Sequence, residues 1–169
     1  DPEECAKLNA EARPGEHYHP VALGDREGEA TLYVTRDPGS SSLYRPDPHF
    51  ADNHLHLAIH RVTHTAPVTL TTLAAWAARE NVPRIDVMKL DTQGSENDIL
   101  RGAGPLLDDV LAVACEVSFA PLYQGQSLCG DVSKTLADHG LDLWRFDKLV
   151  HYARAAGITG RTMQIVYAP

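Results

Sequence analysis

Two acids that close apolar stretches are the first candidates for chemistry in this chain. Asp91 follows the run at 85–90, and Glu116 lies near the end of the run at 111–117. Both runs are rich in Ile, Val, Leu and Ala and predict buried strands. Acids at neighbouring strand ends raise each other's pKa in a partly dry cleft, so that one of them could accept a proton from a hydroxyl near neutral pH. Asp91 and Glu116 are the predicted catalytic residues; the alternatives are a turn-stabilising role for Asp91 and a salt bridge or helix cap for Glu116.

The segment around Asp91 predicts a central strand, a tight turn and a helix. Gly94 allows a close backbone approach to a ligand, and Ser95 is a candidate cap for a helix that has Glu96 and Asp98 in its first turn. Ligands of open α/β sheets bind beyond the carboxyl ends of the strands. The position of Asp91 therefore indicates a binding site.

The same segment resembles a known family. The run KLDTQGSE at 89–96, continued by ILRGA at 99–103, is similar to the K-[IL]-D-[VT]-[EQ]-G-x-E…[VI]-L-x-G-A signature of FkbM-type S-adenosylmethionine-dependent methyltransferases. Further matches follow the order of the family, at 21–28, 41–43, 115–117 and 121–126. The set covers most of the chain.

The resemblance implies a fold and an activity. The fold is a Rossmann-like class I methyltransferase sheet with helices on both faces, and the activity is O-methylation of a hydroxyl on a sugar, glycan or secondary metabolite. The implied cofactor is S-adenosylmethionine. Its binding residues would be Ala22, Leu23, Asp25, Asp91, Thr92, Gln93 and Gly94, and the substrate would contact Ser41, Ser42 and Glu96.

Some of these residues have simpler interpretations. One alternative is that Gly24 and Asp25 simply form the turn between strands predicted at 17–23 and 30–34. The corresponding alternative for the serines at 40–42 is that they are solvated loop residues without a functional role.

The start of the chain differs from the family. The chain opens on a helix, without the first strand and glycine-rich loop of the family. We therefore expect residues 1–169 to be a single domain that is truncated at its amino end, which leaves its own cofactor binding open.

Four histidines, at 54, 56, 60 and 64, invite a metal hypothesis. Leu55, Leu57 and Ile59 alternate with polar positions, so that 53–65 predicts a strand with histidines on its polar face. No converging Cys, His or carboxylate is evident to complete a closed site. No metal is predicted.

The later segments predict the remaining elements. Thr71 or Thr72 caps a helix that contains Trp76, residues 121–126 form a polar and aromatic loop over the site, and 127–138 is a helix. The runs at 141–146 and 162–167 predict two terminal strands paired antiparallel.

Composition bounds the class of protein. A chain of 169 residues with 43% hydrophobic content suits one domain. The net charge of −8 argues against a nucleic-acid partner, and three cysteines without a C-x-x-C favour a reduced, cytoplasmic setting. No apolar run suggests a membrane span, and the oligomeric state stays open.

Two other functions are alternatives to methyl transfer. A nucleotide hydrolase or kinase would need a G-x-x-x-x-G-K-[ST] loop, which the sequence does not contain. A non-catalytic module of the same fold is the other alternative.

Overall fold

A computed structural model describes residues 2–48, 52, 57–153 and 159–168. The described helices are α1 (Pro2–Ala10), α2 (Leu73–Arg79), α3 (Glu96–Ala103) and α4 (Cys129–Ala137). The strands are β1 (Ala22–Leu23), β2 (Gly28–Thr35), β3 (Val62–Thr71), β4 (Val87–Leu90), β5 (Ala112–Ser118), β6 (Asp142–Ala153) and β7 (Thr159–Ala168). Short 3-10 turns cover Pro38–Ser40, Leu57–His60 and Gly104–Asp109. The chain is a mixed α/β protein, as predicted.

The described strands form two sheets. One has the order β1-β3-β2, and the other has the order β4-β5-β7-β6. Strands β4 and β5 are parallel, whereas β7 pairs antiparallel with both β5 and β6. The predicted antiparallel terminal pair is therefore confirmed.

The position of β4 differs from the prediction. The strand that carries the site was expected in the centre of one continuous sheet, but β4 lies at the edge of its four-stranded sheet. The reason is that β4 pairs with β5 on one side, and no strand among the described residues pairs with its other side. The parallel β4–β5 pair, which brings the two acids together, does not depend on that difference.

The core lies between β4, β5 and the helices that follow them. Leu100 on α3, Val113 on β5 and Leu136 on α4 are fully buried in one apolar cluster. Along β4, Met88 and Leu90 point into this cluster while Val87 and Lys89 are exposed. The alternation fixes which face of the sheet is available to a polar site.

Several local predictions are confirmed. Helix α1 begins at Pro2, and α4 falls within the predicted 127–138. Thr72 caps α2, its side chain accepting a hydrogen bond from the backbone N–H of Ala75 at 3.1 Å. The prediction that residues 1–169 make one amino-terminally truncated domain stays a prediction.

Two predicted strands are wrong in extent. Of the strand predicted at 17–23, only Ala22–Leu23 pairs, with Leu70 and Thr71. In the predicted strand at 53–65, Leu57–His60 is a 3-10 turn and β3 starts at Val62; His54 and His56 lie outside the described residues. A short alternation of apolar and polar residues does not distinguish a strand from a turn that buries one side chain, here His60.

Helix length also bears on the membrane question. Among the described residues, no helix has the length and apolar character needed to cross a bilayer.

Candidate active site

The register of β4 and β5 places the two predicted acids side by side. Leu90 pairs with Cys115 in parallel, so Asp91 and Glu116 follow at the same level at the carboxyl ends of adjacent strands. Cys115 and Val117 point into the core, which turns Glu116 to the opposite, half-exposed face. The two carboxyl groups therefore lie side by side, as predicted.

A small polar network surrounds the pair. The amide nitrogen of Gln93 donates to Asp91 Oδ1 at 3.4 Å and to Glu116 Oε2 at 3.3 Å. Lys89 donates from its ammonium group to Asp91 Oδ2 at 3.0 Å. The two carboxyl groups are themselves hydrogen-bonded to each other. Lys89 is the site residue on β4 that sequence reasoning missed, although its position two residues before Asp91 places it on the same face.

The pKa values of the two carboxyl groups are shifted in opposite directions. Burial, together with the hydrogen bond and negative charge of Asp91, raises the pKa of Glu116 to about 8. Burial alone would raise the pKa of Asp91, but hydrogen bonds from Glu116 and Lys89 outweigh it and lower that pKa below its usual value. At neutral pH the pair therefore holds one proton, on Glu116, which donates it to an ionised Asp91.

The turn after Asp91 is held by Glu96. Its buried carboxylate accepts hydrogen bonds from the backbone N–H of Thr92 at 2.7 Å and from that of Gly94 at 2.9 Å. Burial raises the pKa of Glu96. Gly94 has φ +106°, a conformation that favours glycine. The predicted Ser95 cap is wrong: the hydroxyl makes no capping bond and donates to Thr92 Oγ1 at 3.0 Å instead.

The serine loop lies against this turn. Ser42 is 1% exposed, and its hydroxyl donates to the backbone carbonyl of Gln93 at 2.6 Å while accepting from the N–H of Tyr44 at 2.9 Å. Ser41 Oγ accepts from the N–H of Thr35 at 3.2 Å. Ser42 is thus part of the scaffold that holds Gln93. A direct contact of Ser41, Ser42 or Glu96 with substrate stays a prediction.

The loop at 121–126 covers the site, as predicted, and supplies a residue that was not among the predicted site residues. Tyr123, which is buried, donates a hydrogen bond from its hydroxyl to Gln93 Oε1 at 2.7 Å. The signal in the sequence was the match at 121–126, which contains Tyr123 but gives it no role.

The predicted cofactor-binding residues Ala22, Leu23 and Asp25 lie at the other end of α3. Ala22 and Leu23 are half-buried on β1, and Leu23 packs against the core. The exposed Asp25 forms ion pairs with Arg26 at 3.1 Å and with Arg101 of α3 at 3.4 Å. Asp25 is therefore linked to the helix that begins after the Asp91 turn, and its contact with a cofactor stays a prediction.

The last candidate feature is a metal site. In the described part of the chain, no group of three or more His, Cys, Asp or Glu side chains is placed to hold a metal ion. His60 is buried against Tyr123, and burial lowers its pKa.

The place of the two acids in the sheet is the one where open α/β proteins in general bind ligands, beyond the carboxyl ends of adjacent parallel strands. The family model described as "Methyltransferase FkbM domain" matches residues 2–143. The chain belongs to the FkbM methyltransferase family.

Curated relatives are distant and longer. The chain is 26% identical over 115 residues to "2-O-methyltransferase NoeI" of Sinorhizobium fredii (strain NBRC 101917 / NGR234), a match that covers 63% of this chain and 45% of the relative. It is 27% identical over 113 residues to "Methyltransferase 1" of Beauveria bassiana (strain ARSEF 2860), which covers 60% of this chain and 45% of that protein. The chain thus spans about half the length of these relatives. No solved structure matches it.

Proposed function

We propose that this domain takes part in S-adenosylmethionine-dependent O-methylation of a hydroxyl on a sugar, glycan or secondary metabolite. The observation that carries the proposal is the Asp91–Glu116 pair, which combines an exposed, ionised carboxylate with a protonated neighbour at the ends of two parallel strands. Membership of a methyltransferase family and the 2-O-methyltransferase name of one relative support it. We also propose a Rossmann-like arrangement, supported by the parallel β4–β5 pair.

The residues present fit the cationic part of such a cofactor. The side chain of Asp91 is 44% exposed, its carboxylate stays ionised, and Glu116 beside it is neutral at pH 7. One negative charge at a partly open strand end is suited to a single positive group. Asp91 with the turn Thr92, Gln93 and Gly94 would hold this end, and Ala22, Leu23 and Asp25 would line the adenine end.

The chain's own residues would perform positioning and proton transfer. S-adenosylmethionine, when bound, supplies an electrophilic methyl group. Asp91 orients the cationic end by charge, and the rigid turn held by Glu96 and Ser42 keeps that carboxylate in place. The acceptor hydroxyl must lose its proton as its oxygen reacts, and Glu116, in its deprotonated form, is the group whose pKa suits that task.

The test is calorimetric titration of this chain, and of a version extended at its amino end, with S-adenosylmethionine and, separately, with ATP and Mg²⁺. We expect the extended chain to bind S-adenosylmethionine and to lose at least tenfold in affinity in Asp91→Asn, because about 1.4 kcal/mol of charge attraction corresponds to that factor. Asp109→Asn is the matched control, since it removes one exposed carboxylate from a different segment.

The outcomes separate the rival functions. ATP binding that requires Mg²⁺ would favour a nucleotide hydrolase or kinase, and no binding of either compound by either chain would favour a non-catalytic module. Equal loss of affinity in Asp91→Asn and Asp109→Asn would show that overall charge, and not the strand-end acid, governs binding.

A further inference from the structure

The hydroxyl of Tyr123 contacts residues from three other segments of the chain: Gln93, Ser40 and His60. Tyr123 is 1% exposed, and its hydroxyl lies 2.7 Å from Gln93 Oε1, 3.2 Å from the carbonyl oxygen of Ser40 and 3.4 Å from His60 Nδ1. Its ring also packs on the turn: a Cβ added to Gly94 would lie 3.2 Å from the ring. The tyrosine is therefore fixed in place before any ligand arrives.

The contacts assign the direction of the hydrogen bonds. A tyrosine hydroxyl has one hydrogen to donate, and the shortest contact is the one with Gln93 Oε1. The amide oxygen of Gln93 therefore faces Tyr123. The amide nitrogen must then face the other way, where Asp91 and Glu116 accept from it.

The backbone of Gln93 leaves little other freedom. Its φ is +59°, which is uncommon for a residue with a side chain, and its carbonyl accepts a hydrogen bond from the buried Ser42 at 2.6 Å. With the backbone held, a half-turn of the side-chain amide would exchange its oxygen and nitrogen. A rotated amide would place an oxygen against the ionised Asp91, which is electrostatically unfavourable.

We propose that Tyr123 is a positioning residue of this site: its hydroxyl orients the Gln93 amide so that the amide nitrogen donates to both Asp91 and Glu116. The proposal deepens the proposed function and rests on it for its catalytic meaning. Tyr123 itself does not touch the reacting atoms in this assignment. It acts through Gln93.

Removal of the hydroxyl has a defined electrostatic consequence. Hydrogen bonds donated to a carboxylate favour its ionised form, so a disordered or rotated Gln93 raises the pH at which the pair loses its shared proton. The other charged groups that act on Glu116 are Asp91 and Lys89 from β4 and Glu96 from α3. His60 Nδ1 lies 3.4 Å from the Tyr123 hydroxyl, and burial lowers the pKa of this histidine.

The experiment follows the side-chain carboxyl carbon of Glu116 by NMR across pH 5–10 in protein labelled at glutamate. In Tyr123→Phe, which removes one oxygen atom and keeps the ring, we expect the titration midpoint to rise by about 0.5 unit or more. Tyr44→Phe is the matched control, because the Tyr44 hydroxyl donates to Asp98 at 2.7 Å and not to Gln93. Its midpoint should equal that of the unaltered chain, and an equal midpoint in Tyr123→Phe would overturn the proposal.

A second variant makes the test independent of Tyr123. Gln93→Met removes the amide and retains the length of the side chain, so it should raise the Glu116 midpoint by itself. In the double variant, Tyr123→Phe should add nothing further, because the tyrosine acts only through the amide. Additive shifts would contradict that route and overturn the proposal.

The titration needs no cofactor, which separates the two proposals. A normal Tyr123 effect, with no binding of S-adenosylmethionine by this chain or by its extended version, would refute the proposed function alone. Binding with no Tyr123 effect would refute the positioning role alone.

Discussion

Gly102 of α3 packs directly against the backbone of Gly24. A Cβ built on Gly102 would lie 2.1 Å from the carbonyl oxygen of Gly24, a distance that no real side chain can adopt. The contact joins the helix that follows the Asp91 turn to the segment that carries Asp25. The ion pair between Arg101 and Asp25 lies next to it. The two ends of the candidate site are thus connected by backbone packing.

Gly102→Ala is therefore expected to be strongly destabilising. The added methyl group must push α3 away from Gly24, at a cost of about 3 kcal/mol in the free energy of unfolding, which urea denaturation measures. Gly130→Ala is the control, since Gly130 also lies in a helix but nothing is within 4 Å of its added Cβ. That variant should be as stable as the parent or slightly more stable, and equal behaviour of the two variants would contradict the packing.

Glu116→Gln should change how stability depends on pH. The folded-state pKa of Glu116, about 8, is above its usual value. The folded chain therefore holds a proton that the unfolded chain releases, and this contribution is complete below the usual pKa and is lost as pH rises through 8. Glutamine stays neutral at every pH and can still donate to Asp91.

Urea unfolding at pH 4, 7 and 9 measures the effect. The two proteins should have equal stability at pH 4, which is below the usual glutamate pKa of 4.5. At pH 9 the variant should be the more stable by about 2 kcal/mol, a value reduced from the full shift because water screens the partly exposed carboxyl. The exposed Glu11→Gln should not differ from the parent in its pH trend, and parallel curves for Glu116→Gln and the parent would refute the raised pKa.

The convergence of Asp91 and Glu116 could be predicted because it depends on local patterns. Each acid follows a run of apolar residues, and parallel neighbouring strands end at the same edge. The edge position of β4 could not be obtained that way, since it depends on which strands pair across the chain. The same holds for Tyr123, which is separated from Gln93 by 30 residues and reaches it only through the fold.

The predicted roles of two serines differ from the observed ones because nearby groups provide other hydrogen-bond partners. Ser95 has the residue type of a cap, but its hydroxyl donates to Thr92 Oγ1, and the N–H of Asp98 donates to the backbone carbonyl of Ser95 at 3.1 Å instead. Ser42 looked like a solvated loop residue or a substrate contact, and its burial became evident only when 41–44 was placed against the turn. Sequence identifies polar groups more readily than their partners.

Ser42→Ala tests whether this serine is mainly structural. Its loss leaves the buried carbonyl of Gln93 and the N–H of Tyr44 without their shared partner, so we expect about 1–2 kcal/mol of destabilisation in thermal or urea unfolding. Ser41→Ala, which removes one longer bond to the N–H of Thr35, should cost less. A Ser42→Ala chain with unchanged stability but weaker substrate binding would instead support direct contact with the acceptor.

The last prediction concerns the pH dependence of methyl transfer. If Glu116 accepts the proton of the acceptor hydroxyl, it must first be deprotonated, and a pKa of about 8 leaves roughly one-tenth of it ionised at pH 7. The rate constant kcat/KM should therefore rise about tenfold per pH unit below pH 7 and level off above pH 8. In Glu116→Gln the rate should be lower by a factor of about 100 and independent of pH over this range. Lys89→Met should shift the midpoint upward, because the Lys89 ammonium group lowers the pKa of Glu116. A Glu116→Gln profile that keeps the parent's midpoint would assign the proton acceptor to another group.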